Sequence, residues 1–131
     1  NKHLTKKTFD FQGFNYADGS GLSRSNVITP MSQVKFLSEL MNEKHFDSYF
    51  KSLPIGGQTG TLRSMFLNTE AYGQVFAKTG TLNRVKTLAG YIKTKKGKLL
   101  TFSLLINNYN GSVAQVKKKM ESILIPILDL K

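Results

Sequence analysis

Apolar residues change their spacing once along this chain, near Val75, and the change divides it into a helical half and a stranded half. Before that point, Met31, Val34, Leu37 and Met41, with Phe36 and Leu40 beside them, recur three and four residues apart. That is the spacing of one helix face. Thr29 is placed to cap this helix and Pro30 to open it, because a first-turn N–H has no intrahelical partner to lose. A shorter helix is predicted over Lys44 to Lys51, carrying Phe46, Tyr49 and Phe50; Gly56-Gly57 then opens a loop. Beyond the change of period, Val75 to Lys78 and Val85 to Thr94 read as strands. Leu99 to Ile106 is almost unbroken apolar sequence, as expected of a strand covered on both faces. Lys95-Lys96-Gly97-Lys98 forms the hairpin between the last two, with Gly97 free to take positive φ. Ser112 caps a final helix whose buried stripe is expected to run through Val113, Val116, Met120, Ile123, Ile127 and Leu130, kinked at Pro126. The predicted order is helix, helix, three antiparallel strands, helix.

Length and composition narrow the reading. At 131 residues the chain is one domain's worth, or part of something larger. A hydrophobic content of 40% against 21% charged residues marks a globular protein rather than a disordered tail. No apolar run reaches the length of a membrane span; the best, Ile123 to Leu128, is short and holds Pro126. The absence of cysteine excludes a disulfide framework, a thiol nucleophile and Cys-based metal sites. The chain opens at Asn1 rather than at a methionine, so a processed or excised piece of a longer protein is expected. Its polar start, Asn1 to Lys7, is expected to fray.

The net charge of +11 is unevenly spread: no acidic residue stands between Glu70 and Glu121, an interval that holds ten lysines and arginines from Lys78 to Lys119. Such a surface favours nucleic acid, anionic lipid or an acidic cell-wall polymer. A solvated set of strand edges and turns accounts for it equally well.

The residues with the most specific chemistry are Lys78-Thr79-Gly80-Thr81, which close the run Val75-Phe76-Ala77. A lysine supplies a fixed positive charge, flanking hydroxyls can hydrogen-bond a carboxylate, and Gly80 leaves room for a ligand against the backbone. Lys-Thr-Gly is also the third element of penicillin-binding proteins and class A β-lactamases, after Ser-x-x-Lys and Ser-Asp-Asn.

Two further segments make the comparison specific. Asp18-Gly19-Ser20-Gly21-Leu22-Ser23-Arg24, followed by Asn26 and Thr29-Pro30, resembles the DGSGLSR…N…TP signature of the D-alanyl-D-alanine carboxypeptidases of the low-molecular-mass class C penicillin-binding type. Leu53-Pro54-Ile55-Gly56-Gly57 through Gly60-Thr61-Leu62-Arg63 resembles their LP…G…GTL segment, with Gln58-Thr59 as a departure. Lys78 to Leu82 and then Ala89-Gly90-Tyr91 resemble their KTG strand and its successor. The resemblance covers about Phe14 to Leu105 and implies the α/β (α+β) class. Residues 1–131 would be the C-terminal portion of a β-lactamase/transpeptidase-like fold, with antiparallel strands flanked by helices.

The same resemblance implies a serine enzyme that forms an acyl-enzyme on peptidoglycan stem peptides ending in D-Ala-D-Ala and is acylated by β-lactam inhibitors. By position, Lys78 would be an electrostatic anchor. Thr79 and Thr81, with Gly80 between them, would bind the terminal carboxylate. The backbone N–H of Thr81 would supply half of an oxyanion hole. No metal or organic cofactor is implied, and the location would be periplasmic or otherwise extracytoplasmic.

The nucleophile is missing from this pattern. Two Ser-x-x-Lys matches occur, Ser32 with Lys35 and Ser48 with Lys51, but about one is expected by chance in so serine- and lysine-rich a chain. Both follow the DGSGLSR segment, whereas the family's nucleophile precedes it. Ser23-Arg24-Ser25-Asn26 belongs to that segment too. His3 and His45 have no arrangement supporting a triad, and Asp18 reads first as a turn residue. The chain is therefore expected to be inert alone and to partner the N-terminal part of the same protein. Two other readings stand beside this one: a basic nucleic-acid module stacking bases on Tyr91, Phe102 and Tyr109, and a non-catalytic peptidoglycan-binding remnant.

Overall fold

A computed structural model describes residues 13–131; His3 and the polar stretch Asn1 to Lys7 lie outside the described residues. Helices α1 (Pro30–Leu40) and α2 (Phe46–Ser52) come first, followed by a 3-10 turn at Gly60–Leu62. Strands β1 (Val75–Leu82), β2 (Val85–Lys93) and β3 (Leu99–Asn107) form one antiparallel sheet in that order. Helix α3 (Val113–Leu124) and a second 3-10 turn, Ile125–Asp129, close the chain. The architecture is α+β, a sheet between two helical layers.

Local chemistry accounts for the boundaries. Thr29 Oγ1 accepts from the Ser32 N–H and Pro30 opens α1. Ser112 and Gln115 make a reciprocal capping box at the start of α3, which satisfies two otherwise unpaired N–H groups. The β1–β2 hairpin turns through Asn83 and Arg84, with Arg84 at φ 56°. Its guanidinium donates to the carbonyls of Asn108 and Tyr109, so the turn is tied to the end of β3. Gly97 takes φ 81° in the β2–β3 hairpin, as its position predicts.

Residues opposite one another share a sheet face, which assigns the side chains. Val75, Ala77, Leu88, Ile92 and Phe102 face α3 and join Met65, Phe66, Met120 and Leu124 in the main core. Phe76 and Tyr91 face the other way, onto Leu37 of α1 and Phe46, Tyr49 and Phe50 of α2. The Tyr91 ring is completely buried and its hydroxyl donates to the Leu37 carbonyl at 2.8 Å. Between β1 and β2 the backbones meet at Gly90. A Cβ there would lie 2.2 Å from the Phe76 carbonyl oxygen.

Several expectations need correction. β1 does not stop at Lys78; it runs to Leu82 because Thr79, Gly80 and Thr81 pair in register with Leu88, Thr87 and Lys86. The α3 stripe runs by fours through Val116, Met120, Leu124 and Leu128, while Val113, Ile123 and Leu130 are exposed. Leu124 takes the place expected of Ile123, and the 3-10 turn through Pro126 brings Leu128 inward. Met31 is 60% exposed, since it lies in the first turn of α1 on the side away from Leu37. β3 does have apolar neighbours on both faces, yet of its residues only Phe102 is buried, because β3 is an edge strand among the described residues.

Candidate active site

The sheet edge along β1 is covered over part of its length. The Gly56 N–H donates to the Val75 carbonyl, and the Ala77 N–H donates to the Pro54 carbonyl. Hydrogen-bonding direction alternates along a strand, so Thr79 and Thr81 also point their N–H and C=O groups outward, away from β2. Among the described residues no loop hydrogen-bonds to them there. The Lys78-Thr79-Gly80-Thr81 tetrad thus marks the place where the sheet edge opens, not the place where the strand ends.

The tetrad's side chains straddle this edge. Lys78 stands opposite Ala89 on the α1 face and is exposed; its Nζ turns back to donate to the Thr79 carbonyl at 2.9 Å. Thr79 and Thr81 stand on the α3 face, Thr79 half-buried and Thr81 exposed. Gly80 stands opposite Thr87, and a Cβ at Gly80 would lie 2.4 Å from Thr87 Oγ1. The space beside Gly80 is therefore occupied by the Thr87 hydroxyl, a requirement that the single sequence does not disclose.

Lys78 lies at the rim of a cavity of about 610 Å³ between the sheet and α1. Phe14, Tyr16, Ile28 and Phe36 give it largely apolar walls, with Lys78 and Gln33 among its polar groups. Gln33 is held by the Ser103 hydroxyl, which donates to its Oε1 at 2.8 Å. A second, smaller pocket lies between Thr81 and the Ser23–Val27 loop.

That loop is organised by Asp18. Its Oδ1 accepts from the Asn26 side chain and the Gly21 N–H, and its Oδ2 from the Ser23 N–H and the Ser20 hydroxyl. The Asn26 bond first, with the Ser20, Gly21 and Ser23 donors, holds the Asp18 carboxyl below the usual carboxylate range against the opposing effect of burial. Asn26 returns the contact by accepting from the N–H groups of Ala17 and Asp18. Asp18 is thus a loop clamp with its oxygens already engaged.

Ser32, His45, Ser48 and Lys51 line neither of the two pockets. Ser32 is completely buried and its hydroxyl is paired with Thr29 at the start of α1. Ser48 and Lys51 are exposed on α2, and His45 is exposed before it. The nucleic-acid reading loses its stacking platform, since Tyr91 and Phe102 are buried and Tyr109 packs against the core. Among the described residues, no group of three or more His, Cys, Asp or Glu is placed to hold a metal ion. Lys86, which sequence reading counted only among the basic residues, lies buried beneath the tetrad and donates to Thr81 Oγ1 at 2.5 Å.

Residues 1–125 match the model of the D-Ala-D-Ala carboxypeptidase 3 (S13) family. The chain belongs to that family. A D-alanyl-D-alanine carboxypeptidase from an Actinomadura species is 36% identical over 107 residues, which are 78% of this chain and 20% of the relative. The D-alanyl-D-alanine carboxypeptidase DacB of Haemophilus influenzae is 31% identical over 118 residues, 88% of this chain and 25% of the relative. The chain therefore spans about a fifth to a quarter of the length of these relatives. The crystal structure of penicillin binding protein 4 (dacB) from H. influenzae superposes with a TM-score of 0.88 at 26% identity, covering 98% of this chain and 30% of that one. The TLA-3 extended-spectrum β-lactamase shares the fold alone, with a TM-score of 0.74 at 13% identity.

Proposed function

We propose that this chain is one wall of the active site of a serine D-Ala-D-Ala carboxypeptidase or endopeptidase acting on peptidoglycan stem peptides. The observation that carries the reading is the free edge of β1 beginning at Lys78, in a chain of the S13 family. A peptide lying along that edge meets the outward N–H and C=O groups of Thr79 and Thr81, which can bond its backbone as an added strand would. Thr81 is exposed and can donate its hydroxyl proton to a terminal carboxylate, with Thr79 beside it at the same edge.

In this reading the nucleophilic serine comes from a segment outside these residues. It attacks the penultimate D-alanine carbonyl, its proton leaving with the departing D-alanine amine, and an acyl-enzyme remains for water or an amine to discharge. The Thr81 N–H is directed at the oxygen on which negative charge develops, and the Lys78 ammonium stabilises that charge through space. β-Lactams enter as acylating analogues: the penicillin binding protein 4 of H. influenzae is described in complex with one. Cell-wall peptides as substrate place the protein outside the cytoplasm. No described helix is long and apolar enough to cross a membrane.

Labelled benzylpenicillin tests the reading. The full-length protein is expected to take up one equivalent, and residues 1–131 alone none. In the full-length protein Lys78→Met is expected to slow acylation by about 100-fold or more. Labelling of the isolated chain, or unchanged labelling of the Lys78→Met protein, would refute it.

A further inference from the structure

Among the described residues Lys86 is the only buried charged side chain, at 5% exposure. It stands opposite Thr81 on the α3 face and opposite Ile106 on its other side. Its ammonium donates to Thr81 Oγ1, and no carboxylate among the described residues pairs with it. The charges that act on it, Lys117 on α3 and Lys78 on β1, are both positive. Burial first, and then these two neighbours, hold its ammonium below the ordinary lysine range.

A buried cation without a counter-ion is destabilising, and an apolar side chain of similar length is usually neutral or better in such a place. The surroundings favour an apolar residue here, since Ile106 lies opposite and packs on the core. The fold thus gives no reason for a charge at position 86. The hydroxyl that it holds does. A threonine hydroxyl has one proton and two lone pairs. Thr81 spends a lone pair on Lys86, so its proton is free for a group outside the sheet, and Thr81 is exposed.

We propose that Lys86 is a positioning residue for the anionic end of the substrate, setting the Thr81 hydroxyl to donate outward to a terminal carboxylate and adding a second positive charge behind it. The inference rests on the active-site reading above and adds to it the residue that specifies a free carboxylate rather than a neutral chain end. The carboxylate in turn supplies the negative charge that the cluster of Lys78, Lys86 and Lys117 lacks.

The test uses the full-length protein and two substrates, a peptide ending in D-Ala-D-Ala and the same peptide with its C-terminal carboxylate converted to the amide. For each, kcat/KM is measured in the wild type and in Lys86→Met, alongside the thermal midpoint. The expected result is a roughly tenfold fall in the preference for acid over amide, expressed mainly in KM, with the thermal midpoint unchanged or raised. A purely structural role would lower both substrates' rates together and lower the midpoint. That outcome, or an unchanged acid-to-amide ratio, overturns the inference while leaving the enzyme reading intact. A wild-type protein that neither takes up penicillin nor releases D-alanine removes both.

Discussion

Among the described residues, thirteen buried hydrophobic side chains form a continuous core on the α3 side of the sheet, against three on the α1 side, Leu37, Leu53 and Tyr91. The first side is assembled mainly from aliphatic side chains, with Phe66 and Phe102 among them. The second is mainly aromatic, with Phe46, Tyr49 and Phe50 placed edge-on or tilted about Tyr91 and Phe76, and it leaves the cavity beside Lys78. One face thus carries most of the burial that stabilises the fold, while the other tolerates incomplete packing next to Lys78. The tetrad sits on the strand that divides them, so its lysine belongs to the loose face and its threonines to the tight one.

The largest effect should come from the backbone contact that both faces share. Gly90→Ala puts a methyl group against Phe76 O and Ala77 Cα, which are backbone atoms without room to yield. We expect a loss of about 3 kcal/mol or more, or failure to fold, read by urea unfolding. A wild-type midpoint would show that β1 and β2 can separate at little cost.

Next, Met120→Ala on the tight face and Leu37→Ala on the loose one compare the two directly. Met120 is enclosed on all sides, and its truncation is expected to cost about 3 kcal/mol. Leu37 lines the existing cavity, so its truncation merely enlarges that space, and about 2 kcal/mol is expected. Equal losses in urea unfolding would mean that the two faces are packed alike.

The smallest effect is expected at Tyr91. Tyr91→Phe removes the hydroxyl that donates to the Leu37 carbonyl and should cost about 1 kcal/mol at neutral pH. Burial first, and then Tyr49, push the Tyr91 phenol far above its ordinary value of 10.0. The folded state therefore keeps a proton that the unfolded chain releases above about pH 10. Stability from this group is complete below that pH and declines as pH rises through it. Alkaline unfolding curves of wild type and Tyr91→Phe should converge above pH 10; parallel curves would mean the phenol ionises freely in the fold.

Much of this was legible in the amino acids. Thr29-Pro30 and Ser112 announced two helix starts, and the family signatures matched the S13 assignment. What stayed hidden depends on contacts between distant segments. Nothing local tells that Pro54 and Gly56 cap the β1 edge as far as Ala77, because that pairing joins residues some twenty positions apart. Reading Lys78 as a strand end followed from the loss of apolar residues after Ala77. An edge strand needs few of them, and threonines suit it as well. Lys86 was hidden for a similar reason. A lysine in a basic interval reads as surface, and only the register that sets it opposite Thr81 shows it beneath the sheet.

The fence that Pro54 and Gly56 build along β1 has a counterpart at the other end, where Asn83 and Arg84 turn the chain back. Five residues, Lys78 to Leu82, lie between these stops, a berth of about 17 Å at ordinary strand rise. Only Thr79 and Thr81 present their main-chain groups outward within it. On the proposed reading, a guest moored there would be gripped across two residues, and the length and branching of whatever trails behind would be invisible to this wall.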